Sequence, residues 1–126
     1  MPTPEQVRAA VDAYVDAYRH NSREAVLATF APDAVWHDPV GEPPHEGHEG
    51  IGAFWDTAHS MADKIVLEPK DVVVCGPEAA MVFTINAHVG DSVMVFDAVE
   101  TFLVDDDGKI TLLKAYWDMS KARPAT

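Results

Sequence analysis

An α+β fold, with a curved antiparallel sheet wrapped around three N-terminal helices, is the architecture this sequence predicts. Apolar residues at helical spacing are confined to the first half of the chain, and long strand-like segments fill the second. Asp105-Asp106-Asp107-Gly108 lies between two of those strands as a strong hairpin turn, so neighbouring strands are expected to run antiparallel. Helices first and strands afterwards put the helices on one face of the sheet, giving a cone with an apolar mouth.

The first helix begins at Thr3-Pro4-Glu5-Gln6, with Thr3 as cap, Pro4 at the first helical position and Gln6 completing a capping box. Val7, Ala10, Val11, Tyr14, Val15 and Tyr18 then recur at helical spacing to about His20, which places Tyr14 on the inward stripe. A second short helix follows Ser22, carries Ala25, Val26, Ala28, Thr29 and Phe30, and stops at Ala31-Pro32-Asp33. Residues 34–38 form a short strand, and Pro39-Val40-Gly41-Glu42-Pro43-Pro44 is a loop by its breakers. The third helix covers 49–61, with Ile51, Phe54, Trp55 and Ala58 as its apolar face. Strands are expected at 65–67, 71–75, 79–88, 92–104 and 110–119.

At 126 residues the chain is expected to be one domain over 1–126, long enough to bury a real core. A net charge of −12 with only nine Lys and Arg argues against nucleic acid, whose phosphates need a basic face. No apolar run approaches the ~20 residues needed to span a bilayer, so no membrane partner is expected. The polar opening Met1-Pro2-Thr3-Pro4-Glu5 does not resemble a secretory segment. Cys75, the lone cysteine, ends Val72-Val73-Val74-Cys75 and reads as a small buried hydrophobe in a reducing, cytoplasmic setting.

Three residues carry chemistry. Asp38 follows the apolar stretch Ala34-Val35-Trp36, Glu100 sits inside the apolar strand around Phe96, Ala98, Val99 and Phe102, and Tyr14 lies on the helix stripe. An acid among apolar neighbours is costly unless it is neutral or partnered. Two such acids and a phenol suit proton abstraction beside a carbonyl, with one acid as base and two donors for the oxygen that becomes anionic. Each residue also has a plainer role: Tyr14 as core packing, Asp38 as a turn residue, Glu100 as a solvent-facing strand position. Strand alternation groups Ala98, Glu100 and Phe102 on one face and Asp97, Val99, Thr101 and Leu103 on the other, without saying which is inside.

The segment Asp38-Pro39-Val40-Gly41-Glu42-Pro43-Pro44-His45-Glu46-Gly47, then Ile51-Gly52-Ala53-Phe54-Trp55 and the C-terminal Gly108-Lys109-Ile110-Thr111-Leu112-Leu113-Lys114-Ala115-Tyr116-Trp117, resembles the bacterial ketosteroid isomerases. The likeness runs nearly end to end. It implies the cone of the NTF2-like and SnoaL-like superfamily, a steroid delta-isomerase activity without cofactor or metal, a small apolar carbonyl substrate, and a homodimer. Carried over by position, it makes Asp38 the base, Tyr14 one oxyanion donor and Glu100 a second, protonated donor. Phe30, Phe54, Trp55, Met81, Phe83, Val99 and Trp117 become substrate-binding positions. The idea of an acid kept neutral is the family's own and enters with the resemblance.

The chain departs from the family at several positions. Glu100 replaces an aspartate, which adds about 1.5 Å of reach and a slightly higher intrinsic pKa, ~4.3 against ~3.9. Phe30 and Trp55 stand where some relatives have tyrosines that bond to the first one, and His37 stands where a close relative has an acid.

Other constellations are weaker. His37, His45 and His48 with Asp38, Glu46 and Glu49 match no zinc spacing, and Asp105-Asp106-Asp107-Gly108 lacks the rest of a calcium loop. Neither a nucleophile elbow nor a phosphate-binding glycine loop occurs. An epoxide-hydrolase arrangement would need an arginine in the pocket, yet Arg8, Arg19, Arg23 and Arg123 all lie outside the central strands. The alternatives kept are a non-catalytic domain for an apolar ligand and a polyketide cyclase-like enzyme using Asp38 as base.

Overall fold

In the computed structural model, which describes residues 1–125, helix α1 covers Pro4–Arg19 behind a closed capping box. The Gln6 amide donates to Thr3 Oγ1 at 3.1 Å and the Thr3 amide to Gln6 Oε1 at 2.8 Å. One face of α1 is buried, from Val7 through Tyr14 to Tyr18. A side chain such as Val11 contributes ~1.5–3 kcal/mol by leaving water completely.

Helix α2 (Arg23–Ala28), capped by Ser22, ends before Phe30, which instead opens strand β1 (Phe30–His37). The reason is tertiary: Phe30 pairs with Ile110, and the Ile110 amide donates to the Thr29 carbonyl at 2.9 Å. Pro32 cannot donate to a ladder, and the β1 register shifts between Phe30 and Val35 to pass it. A two-residue β2 (His45–Glu46) leads into α3 (Gly47–Met61).

Four longer strands follow: β3 (Lys64–Cys75), β4 (Glu78–Val89), β5 (Ser92–Val104) and β6 (Ile110–Trp117). A 3-10 turn at Met119–Lys121 and a short β7 (Arg123–Pro124) against β5 complete the described chain. The two strands expected around Pro69 are one, because β3 is an edge strand that absorbs the proline in a bulge between Pro69 and Asp71. The β5–β6 turn forms as expected, with Asp105 Oδ1 accepting from the Asp107 and Lys109 amides and Gly108 at φ 77°.

The strand order is β2-β1-β6-β5-β4-β3, open at both edges. The sheet is mixed, where an antiparallel one was expected: β1 runs parallel to β6, pairing Val35 with Leu112 and Trp36 with Leu113. Direction is forced only where a tight turn joins two strands, and these two are separated by α3 and four strands, β2 to β5. The helices cover one face of this curved sheet, which selects Ala98, Glu100, Phe102 and Val104 of β5 as the inner row. Cys75 is exposed, not buried, because it ends β3 at the Gly76 turn, beyond the covering helices. Among the described residues no helix is long and apolar enough to cross a membrane.

Candidate active site

Tyr14 of α1 and Glu100 of β5 meet under the helical layer. The Tyr14 hydroxyl donates to Glu100 Oε2 at 3.1 Å, with both residues at most 2% exposed. Glu100 Oε1 is buried with no hydrogen-bond partner. Cross-strand neighbours of Glu100 are Met81 on β4 and Ala115 on β6, and the next row is Phe83, Ala98 and Trp117. Ala115 and Ala98 put little side-chain bulk beside Glu100.

Four aromatic rings stand edge-on around Tyr14: Tyr18 at 5.3 Å, Phe102 at 5.4 Å, Trp36 at 5.9 Å and Phe30 at 6.1 Å. Burial, then the neighbouring Glu100, holds the Tyr14 hydroxyl well above its ordinary pKa. Glu100 is likewise held well above the carboxyl range by burial and then by the charge of Asp38, against the lowering hydrogen bond from Tyr14. Burial thus favours the neutral form of both groups. The Tyr14 hydroxyl donates to Glu100, and the Tyr18 hydroxyl lies beside it, its pKa lowered by the contact with Tyr14 against the larger raising effect of burial.

Asp38 follows β1 directly. The Val40 amide donates to the Ala115 carbonyl at 2.9 Å and ties the segment to β6; the Asp38–Pro39 peptide is cis. Asp38 keeps part of its surface open while its carboxyl group lies among buried neighbours. Burial raises its pKa from 3.8 to about 6, opposed by the indole N–H groups of Trp117 and Trp36. Trp117 Nε1 donates to Asp38 Oδ1 at 2.6 Å. The Trp36 indole N–H comes near the carboxylate without closing a hydrogen bond.

Phe30 stacks on Trp36 at 5.2 Å, and Phe54 of α3 meets Trp36 edge-on at 5.1 Å. Met81 and Phe83 are fully buried in the same core. Trp55 packs against Tyr18 and His59, one layer away from Tyr14. Val99 is a correction: it lies on the opposite face of β5 from Glu100, 37% exposed, paired with the outward Val82 and Tyr116. Alternation made Val99 and Glu100 mutually exclusive as inner residues, and the helices selected Glu100.

Trp36 is a functional neighbour of Asp38 that the sequence reading passes over as part of an apolar stretch. Counting two back from Asp38 along an alternating strand would have put Trp36 on the same side as the acid. The histidines go separate ways, with His45 stacked on Phe54 at 4.3 Å and His48 Nε2 bonded to the Phe30 carbonyl at 2.9 Å. Among the described residues no three His, Cys, Asp or Glu side chains converge to hold a metal. A concavity of about 720 Å³ between α1, α2 and the β5–β6 turn contains none of Tyr14, Asp38 and Glu100.

Residues 11–113 match the SnoaL-like domain. The chain belongs to that family. Among SnoaL-like relatives, a steroid delta-isomerase of Nocardioides simplex is 33% identical over 112 residues, covering 89% of each chain. A solved Mycobacterium tuberculosis protein has a TM-score of 0.86 at 22% identity, over 99% of this chain and 98% of its own. That protein has also been solved in complex with estradiol-17beta-hemisuccinate. The epoxide hydrolase/cyclase-like enzyme of pyran ring formation in salinomycin has a TM-score of 0.86 at 19% identity, over 97% of this chain and 98% of its own. At these identities the two solved structures establish the SnoaL-like cone alone.

Proposed function

We propose that this protein is a steroid delta-isomerase converting 3-oxo-delta-5-steroids to 3-oxo-delta-4-steroids. The observation that carries the reading is the buried Tyr14–Glu100 hydrogen bond with Asp38, a carboxylate that burial brings to about 6, near enough to raise the pKa of Glu100. The kinship to a steroid delta-isomerase supports it. In this reading Asp38 takes the proton from C4 as the carbonyl becomes a dienolate. Tyr14 turns its hydroxyl hydrogen from Glu100 to the dienolate oxygen, protonated Glu100 donates a second hydrogen bond to it, and Asp38 returns the proton at C6. One C–H bond breaks and one forms, the double bond moves, and no electron is gained or lost. Hydrogen bonds suffice to hold the oxyanion, so the reaction needs no cofactor.

A basic group at about 6 is half-ready at mildly acidic pH and fully ready at pH 7 and above. Phe54, Met81, Phe83 and Trp117 are the proposed apolar lining. A homodimer is proposed through the outer sheet face, where Val73, Val82, Val99 and Tyr116 are exposed together.

The test is the rise in absorbance of the conjugated enone when a 3-oxo-delta-5-steroid is added to wild type and to Asp38→Asn. Removing a general base costs about 10²–10⁴-fold in turnover. Unchanged turnover in Asp38→Asn would sink the assignment of the base.

A second reading is an apolar-ligand carrier. It is favoured by the closed Tyr14–Glu100 bond, which engages the single hydroxyl hydrogen of Tyr14 with Glu100. Tight steroid binding with no enone formed would establish it. Turnover of an aromatic polyketide in place of the steroid would point to a cyclase.

A further inference from the structure

Trp36 is wholly buried, yet its indole N–H has no hydrogen-bond partner. A buried donor left unpaired costs about 1–3 kcal/mol, and a tryptophan is tolerated in a core chiefly where its N–H finds something. Its ring is held on three sides: stacked on Phe30, edge-on to Phe54 and edge-on to Tyr14. Parallel pairing to Leu113 of β6 fixes its backbone. Asp38 follows two residues on, just past the end of β1, and the Trp36 N–H comes near its carboxylate. Asp38 is the nearby acceptor with capacity to spare, since a carboxylate has about four lone-pair sites and Trp117 uses one of them.

We propose that Trp36 is a positioning residue for Asp38: its indole N–H is a second donor that, with Trp117 Nε1, orients the carboxylate toward the substrate. The inference rests on the reading of Asp38 as the base, but its test does not depend on turnover. Two indoles fix the plane of a carboxylate that a single bond leaves free to swing about that bond. A base that moves a proton between two carbons benefits from this, because misplacement of about 1 Å can be expensive. The other ionisable groups near Asp38 are Glu100 on β5 and Tyr14 and Tyr18 on α1, in each of which burial favours the uncharged form. The charge-favouring contacts of Asp38 are thus the two indoles.

The experiment titrates the Asp38 carboxyl carbon by NMR in wild type, Trp36→Phe and Trp117→Phe. Phenylalanine keeps the aromatic packing and deletes the N–H. Each replacement is expected to raise the Asp38 midpoint by about half a unit or more, as loss of a bond to the charged form requires. A midpoint that is unmoved or lowered in Trp36→Phe, while Trp117→Phe raises it, would overturn the proposal. If Trp36→Phe does not fold, the wild type decides through its ¹⁵N-labelled indoles. The Trp36 Nε1–H resonance must then shift with the Asp38 titration, and indifference to it overturns the proposal. An Asp38 pKa that responds to Trp36 in a protein without isomerase activity would leave this inference standing and remove the isomerase reading alone.

Discussion

The Tyr14 hydroxyl and the Glu100 carboxyl lie 3.1 Å apart in a space closed to solvent, and each is the other's hydrogen-bond partner. The pair joins the first helix to the central strand across 86 residues of sequence. Glu100 Oε1 is left over, a buried position from which a proton can be offered to something else.

That pair predicts a graded series. Glu100→Gln keeps a donor of nearly the same shape and is expected to retain much of the activity. Glu100→Ala opens a cavity, strands the Tyr14 hydroxyl and should lose more. Tyr14→Phe removes one oxyanion donor and should lower kcat by about 10²–10³-fold. Steady-state kinetics on the three variants checks the order, and equal, negligible losses would place the Glu100 side chain outside the chemistry.

Glu100 is expected to stay protonated at neutral pH. Isotope-edited infrared spectroscopy should then show a protonated-carboxyl band at pH 7–8 that disappears in Glu100→Gln. Its absence from wild type would mean that Glu100 is charged and cannot donate.

The pH dependence follows from Asp38. As the base it must be deprotonated, so kcat/KM should rise through about pH 6 and level off above it. Trp117 donates to the charged form, so Trp117→Phe should move this acid limb to higher pH. A limb that moves to lower pH would contradict the assignment.

Stability carries the opposite face of the same shift. The folded state raises Asp38 from 3.8 to about 6, so it binds the proton more tightly than the unfolded chain. The protein therefore loses stability as pH rises from about 4 to about 6, and the loss persists above that range. Asp38→Asn should stabilise the fold by up to about 3 kcal/mol at pH 7, with little difference below about pH 4. Denaturant titrations at the two pH values measure this, and a destabilised Asp38→Asn at pH 7 would refute it.

Val99 faces outward, so Val99→Lys should leave the buried site alone and weaken self-association. Sedimentation analysis is expected to show a shift toward monomer. An unchanged assembly would remove this face from the proposed dimer.

Much of this was legible in the chain. Helical periodicity placed Tyr14 on the buried face of α1, the acidic turn at Asp105 formed its hairpin, and the proline- and glycine-rich segment after Asp38 marked a loop at the site. These are local signals, carried by residues close in sequence. The inward face of β5 was not legible, because alternation is symmetric and only the covering helices choose Glu100 over Val99. The parallel pairing of β1 with β6 was equally hidden, since no turn links those strands. So was the approach of Trp117 and Trp36 to Asp38: one contact spans 79 residues, and the other depends on a ring wedged between Phe30 and Phe54. Residue types along the chain limit which groups can do chemistry; the packing of helices onto one face of the sheet selects which of them meet, because burial and partnership are properties of neighbours that arise on folding.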